Sequence, residues 1–206
     1  MATTTIDNDT ELSAVNSILG SIGQSPVTEL NFENPEISFI YNLLRDSNVD
    51  VQNEGWHFNT EKHVKYTPDA STNKIAIGSN VLRLDVTDGW NTKDYDVVMR
   101  GGFLYDLHDH TDDWSDVTSV DLDVVSLYAF EDIPSIFQRY IIYMASRKAA
   151  IQLVSNPQLV QLLGVQESQA RAACVEYECN QGNHSFFGLP DEQGYKSYQP
   201  YQSLLR

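Results

Sequence analysis

The sequence predicts an α+β fold: an antiparallel helical bundle with an inserted antiparallel β-sheet region and an extended C-terminal arm. Three observations predict it. Apolar residues recur at helical spacing near both ends of the chain, short alternating runs fill the middle, and all periodicity fails beyond Gly182. The expected divisions are 10–55 for the N-terminal helices, 56–130 for the β region, 131–182 for the C-terminal helices and 183–206 for the arm.

The first helix is expected from Thr10 to Ile22. Asp9 or Thr10 can cap it, Leu12, Val15, Leu19 and Ile22 make one stripe, and Gly23 with Ser25-Pro26 stops it. The second starts at Asn34-Pro35, a good cap followed by a residue preorganised for the first helical position. Ile37, Phe39, Ile40, Leu43 and Leu44 give it a broad apolar face, and Gly55 ends it.

Strands are then expected at Trp56–Asn59, Val64–Thr67, Lys74–Ile77, Val81–Thr87, Val97–Arg100, Phe103–Asp106 and Val117–Leu127. Gly101-Gly102 marks a hairpin. The connections are too short for helical crossovers, so the region is antiparallel. Helices return at Pro134. The run Tyr140–Ala145 is apolar nearly all round, which predicts a helix covered on several sides. Asn156-Pro157 ends that helix and caps a last one reaching Asn180, whose stripe of Leu159, Leu163, Ala170, Cys174 and Tyr177 is interrupted by Glu167, a wet position. The sheet region is expected to enter and leave at one end of the bundle.

Composition narrows the function. The chain carries 29 acids against 13 bases, a formal charge of −16. Such a surface does not neutralise phosphates or dock on anionic lipid, which argues against specific nucleic-acid binding and membrane attachment. No apolar run approaches the roughly 20 residues that span a bilayer, and Met1–Thr10 lacks the features of a signal peptide. A protein cytosolic where it is made is expected. Cys174 and Cys179 fall on different helix faces and read as free thiols. The eleven tyrosines suit surfaces buried on assembly, or equally half-buried strand positions.

No phosphate loop, nucleophile elbow or zinc spacing is present in the sequence. Asp106, His108, His110 and Asp112 alternate, and in a strand they would share one face as metal ligands of a hydrolase. The competing reading is a solvated loop after the hairpin. Trp56, Trp90 and Trp114 could serve a glycan-binding module, or fill a core. Between Asp85 and Asp132 the balance is −11, from thirteen acids against Lys93 and Arg100. That is a solvated sheet surface, or a wall along which DNA slides without sticking. The arm lacks a period yet carries Phe186, Phe187, Tyr195, Tyr198, Tyr201, Leu204 and Leu205, spaced anchors suited to ordering on a partner.

Several blocks resemble one protein family. They are Glu11-Leu12-Ser13-Ala14-Val15-Asn16 with Ile18-Leu19, Ile22-Gly23 and Pro26-Val27; Gly55-Trp56 with Phe58-Asn59 and Glu61; and Arg100 through Asp106. Further along come Ile133-Pro134, Phe137, Tyr140 and Ala145-Ser146-Arg147, then Glu167, Ala170-Arg171, Cys174 and Glu176-Tyr177-Glu178. Their order and spacing over Glu11–Gly182 are similar to tail tubular protein A, the head-to-tail adaptor of short-tailed podovirus and autographivirus-type bacteriophages. The chain departs from the pattern at Asp106–Asp116, which is richer in His and Asp, and beyond Gly188. The resemblance implies a virion protein without catalysis or cofactor. It implies a ring of twelve copies between the portal protein and the tail nozzle (tail tubular protein B), helping to seat tail fibres. Genomic DNA would pass through without specific binding, with Asp106, Asp109, Asp112, Asp113 and Asp116 as candidate channel-facing acids.

Overall fold

The computed structural model describes residues 10–87 and 95–181. Four helices and five strands follow the order expected: α1 (Glu11–Ser21), α2 (Pro35–Asn53), β1 (Thr60–Tyr66), β2 (Val81–Val86), β3 (Val97–Arg100), β4 (Phe103–Asp106), β5 (Val120–Ser126), α3 (Ser135–Ala149) and α4 (Pro157–Gln181). The fold is α+β, with antiparallel sheets between two helical pairs. The arm expected at 183–206 lies outside the described residues.

Local chemistry sets the helix starts. The Thr10 hydroxyl accepts from the Ser13 amide, Asn34 Oδ1 from Glu36 and Asn156 Oδ1 from Gln158, each satisfying an amide that the first turn cannot pair. The helical core gathers Ala14, Val15 and Ile18 of α1, Ile40 and Leu44 of α2, Phe137 and Ile141 of α3, and Ala170 and Cys174 of α4. α3 packs against all three other helices. Its Tyr140, Ile141, Ile142 and Ala145 are buried, as the all-round apolar run requires.

α3 stops before Asn156. From Ala150 to Val154 the backbone widens into a π-turn, closed where the Ser155 amide donates to the Ala150 carbonyl at 2.9 Å, with Ser155 left-handed at φ 53°. The cause is Pro157, which has no amide to extend the helix and biases Asn156 away from helical geometry. Glu167 also differs from expectation. Its side chain is 13% exposed and ion-paired with Arg147 of α3, so a charge pair rather than water fills the break in the α4 stripe.

The β region forms a three-stranded sheet in the order β1-β5-β2 and the separate β3-β4 hairpin. Gly101 and Gly102, both at positive φ, supply the tight turn between β3 and β4. Val120, Leu122 and Val124 of β5 point inward at alternate positions and meet Ile75, Val97, Leu104 and Trp114 in a second core. Two expected strands are corrected. Trp56–Asn59 turns as a short 3-10 helix at His57–Asn59, because Asn59 Oδ1 accepts from the Trp56 amide and folds the segment back. Lys74–Ile77 contributes a single bridge, Ala76 to Phe103, at the hairpin's edge.

The β region joins the bundle through a buried polar joint. The chain leaves α2 at Gly55, whose φ of +78° is a left-handed conformation that residues with a side chain rarely adopt. Asn59 Nδ2 then donates to the Gln52 and Ser126 carbonyls at 2.8 and 3.1 Å. Gln52 bonds Tyr128 twice, its Nε2 donating to the carbonyl at 2.9 Å and its Oε1 accepting from the amide at 2.8 Å. Entry and exit strands are thus held beside the C-terminal end of α2.

Candidate functional site

The segment after β4 was the strongest chemical candidate in the sequence, and its geometry removes the metal-ligand reading. The strand ends at Asp106, which is buried; its Oδ1 accepts from the His108 and Asp96 amides at 2.8 and 3.3 Å. A turn follows, closed by the Asp106 amide donating to the Thr111 carbonyl, with His110 left-handed at φ 56°. Alternation along a strand therefore fails after the first ligand, and the four side chains do not share a face. Asp112 pairs with Lys74 at 2.5 Å, and that hydrogen bond holds its carboxyl below its ordinary value. Among the described residues no three His, Cys, Asp or Glu side chains gather to hold a metal.

The same geometry divides the five candidate channel acids. Asp109, Asp113 and Asp116 are exposed, with Asp113 Oδ1 accepting from the Ser115 amide at 3.0 Å. Asp106 is the correction: it serves the turn and presents no charge outward. Asp112 is half-covered and neutralised by Lys74.

The tryptophan platform is corrected too. Trp56 is buried among the helices, its ring tilted 59° against Phe137 with centroids 4.9 Å apart and its Nε1 donating to the Val51 carbonyl at 2.7 Å. Trp114 is buried in the β core, its Nε1 donating to the Leu104 carbonyl at 3.1 Å. Both indoles find their partner inside, as buried tryptophans usually do. Trp90 and all seven arm anchors, Phe186 to Leu205, lie outside the described residues.

Among the described residues, shallow hollows of about 300 and 410 Å³ lie on the helical surface. The first is lined by Ser135, Ile136, Arg139, Ala170 and Ala173, the second by Leu43, Asp46, Val49, Asp50, Lys148 and Gln152. Neither pairs a nucleophile with a base. Cys174 of α4 is a core residue whose Sγ donates to the Ile136 carbonyl of α3 at 3.5 Å, and burial pushes its thiol up to about 12, the reverse of what a nucleophile needs. Behind it, Arg171 makes two bonds to Glu54, at 2.8 and 2.9 Å, and donates to the Tyr140 hydroxyl at 2.8 Å. These contacts raise the guanidinium pKa further, and burial raises that of Tyr140 against the pull of Arg171. The network ties α4 to α2 and α3. It is a brace, and Glu178 extends it by accepting the His57 amide at the mouth of the β region.

A family model described as tail tubular protein matches residues 12–184, which spans both helical pairs and the β region between them. The chain belongs to the tail tubular protein family. A search of curated proteins found no match. Membership makes the chain a structural component of a phage tail, located in the virion and assembling with other tail parts, and it implies a non-enzymatic role. Among the described residues no helix is long and apolar enough to cross a membrane.

Sequence reasoning missed one surface. Ile151, Leu153 and Val154 of the π-turn and Leu162 and Val165 of α4 are exposed aliphatics at one corner of the bundle. The signal was present as an uncharged stretch of eighteen residues, Ala149–Gln166, in a strongly acidic chain.

Proposed function

We propose that the chain is a head-to-tail adaptor of the tail tubular protein A type in a short-tailed phage. In this reading it forms a ring of twelve copies, joins the portal to the tail nozzle, lines part of the DNA ejection channel and helps to seat tail fibres. The observation that carries it is the family match running through both helical pairs and the inserted β region. The helical body, 10–55 with 131–182, is the stiff wedge; the β region, 56–130, is held against it by the Gln52–Asn59 joint. The arm, 183–206, reaches the portal or a neighbour through Phe186, Phe187, Tyr195, Tyr198, Tyr201, Leu204 and Leu205.

The channel role rests on the −11 balance between Asp85 and Asp132. With Asp106 buried and Asp112 paired, the charge that DNA would meet comes from Asp109, Asp113 and Asp116. Like charge keeps a phosphate backbone from adhering, which is what a conduit needs. The experiment is genetic. Particles made without this protein should carry filled heads that recruit no nozzle, and supplying the protein should restore tails. Complete, infectious tails in its absence would refute the adaptor role.

A further inference from the structure

We propose that neighbouring copies of this chain meet through the outer face of α4, which docks on the outer face of α1 of the next copy. This rests on the adaptor reading and names the seam that such a ring would use.

The first observation is that α4 is built for two partners. Leu163, Ala170 and Cys174 are buried against the bundle. At 100° per residue, Leu162, Val165, Ser168 and Ala172 face away from that buried line. Leu162 is 66% exposed and Val165 52%. From Leu162 to Ala172 no charged residue falls within this outer stripe, which exposed Glu176 closes a turn later, and the exposed π-turn lies before it in the chain. Contiguous exposed apolar surface depleted of charge is the mark of an interface core.

The second observation selects the occupant. Two copies each carry a formal charge of −16, so they repel wherever acids face each other. Contact is favoured where neither surface is charged. The chain has a second long uncharged stretch, the seventeen residues Leu12–Thr28, which includes all of α1 after Glu11. Ser17 and Gly20 of α1 are exposed, and a Cβ built on Gly20 meets nothing within 4 Å. Large aliphatics on one face and small, uncharged residues on the other allow two helices to approach closely. α1 and α4 each pack on α3 and make no extensive contact with each other, so the two faces belong to different flanks of the bundle. A contact between two different faces is heterologous, the kind that propagates around a ring.

The test uses the full chain in sedimentation velocity at about 0.5 M salt, where screening shortens the reach of the shared negative charge to roughly 4 Å. The wild type is expected to self-associate with rising concentration. Leu162→Asp combined with Val165→Asp should weaken association at least about a hundredfold, because two carboxylates would be buried without partners. Thr118→Glu, an added charge on the β region, should leave it unchanged. Both sites of the double variant are exposed, and an unchanged melting curve verifies folding. Val165→Lys alone should dissociate the copies, and adding Ser17→Glu should restore them. A wild type that stays monomeric, or a double variant that associates like wild type, overturns the seam. Failure of the Ser17→Glu rescue overturns the assignment of α1 as the counter-face. None of these readouts involves a portal, so failure of the adaptor reading, seen as wild-type chain ignoring portal rings, is recorded separately.

Discussion

Replacing Asn59 with alanine should loosen the attachment of the β region to the bundle. Its side chain is fully buried and completes three hydrogen bonds: it accepts from the Trp56 amide at 2.8 Å and donates to the Gln52 and Ser126 carbonyls at 2.8 and 3.1 Å. Alanine removes all three. The Gln52 carbonyl keeps a partner, because the Gly55 amide also donates to it at 3.1 Å. The Trp56 amide and the Ser126 carbonyl lose theirs in a site where Trp56 and Ser126 are both buried. At about 1–3 kcal/mol for each orphaned group, the expected loss is roughly 2–6 kcal/mol, a large share of the stability of an ordinary domain. Urea unfolding followed by tryptophan fluorescence measures it, and hydrogen exchange locates it: amides of β1 and β5 nearest the joint should lose protection first. A loss below about 1 kcal/mol would refute the claim that this polar joint holds the sheet to the helices.

The remaining expectations concern thiols, acids and the arm. In the native protein Cys179 should react with a thiol reagent near pH 8 while buried Cys174 does not, and unfolding should release the second thiol. Because burial lifts Cys174 from 9.0 to about 12, its stabilising contribution is complete below its unfolded value and is lost as pH rises from there through the folded value. Stability should therefore fall on the alkaline side, and Cys174→Ala should flatten that fall; an unchanged profile would contradict it. Changing Asp109, Asp113 and Asp116 together to asparagine should slow DNA ejection at low salt with assembly intact, and an unaltered ejection rate would remove them from the channel wall. A chain ending at Gly188 should fold and stay soluble but co-sediment poorly with portal rings; full docking would take the arm out of the mechanism.

The helices were legible because their signals are local. Asn34-Pro35 and Asn156-Pro157 each combine a capping side chain with a missing amide, and both mark helix starts in the structure. The hairpin was legible for the same reason, through Gly101-Gly102. The strand expected at Trp56–Asn59 was not, since apolar and polar residues alternate there while Asn59 closes a turn by a bond that composition does not reveal. The Asp-His alternation misled in the same way. Period-two spacing implies a shared face only while the strand lasts, and Asp106 ends it by accepting from the amides of Asp96 and His108. Glu167 looked wet because its partner Arg147 lies twenty residues away on another helix. The exposed aliphatics at the bundle corner were hidden by the opposite limit. Helical spacing put Leu163 in the buried stripe, but it does not say whether another element covers Leu162 and Val165 on the far side, and only packing shows that face bare.

The central claim, an adaptor that seats on a portal, is tested most directly by imaging the full-length protein mixed with purified portal rings of its phage. Electron microscopy should show rings of this chain stacked coaxially on one end of each portal, with twelve-fold symmetry in the averages. Portals that remain bare at saturating protein, or protein bound without ring order, would contradict the account.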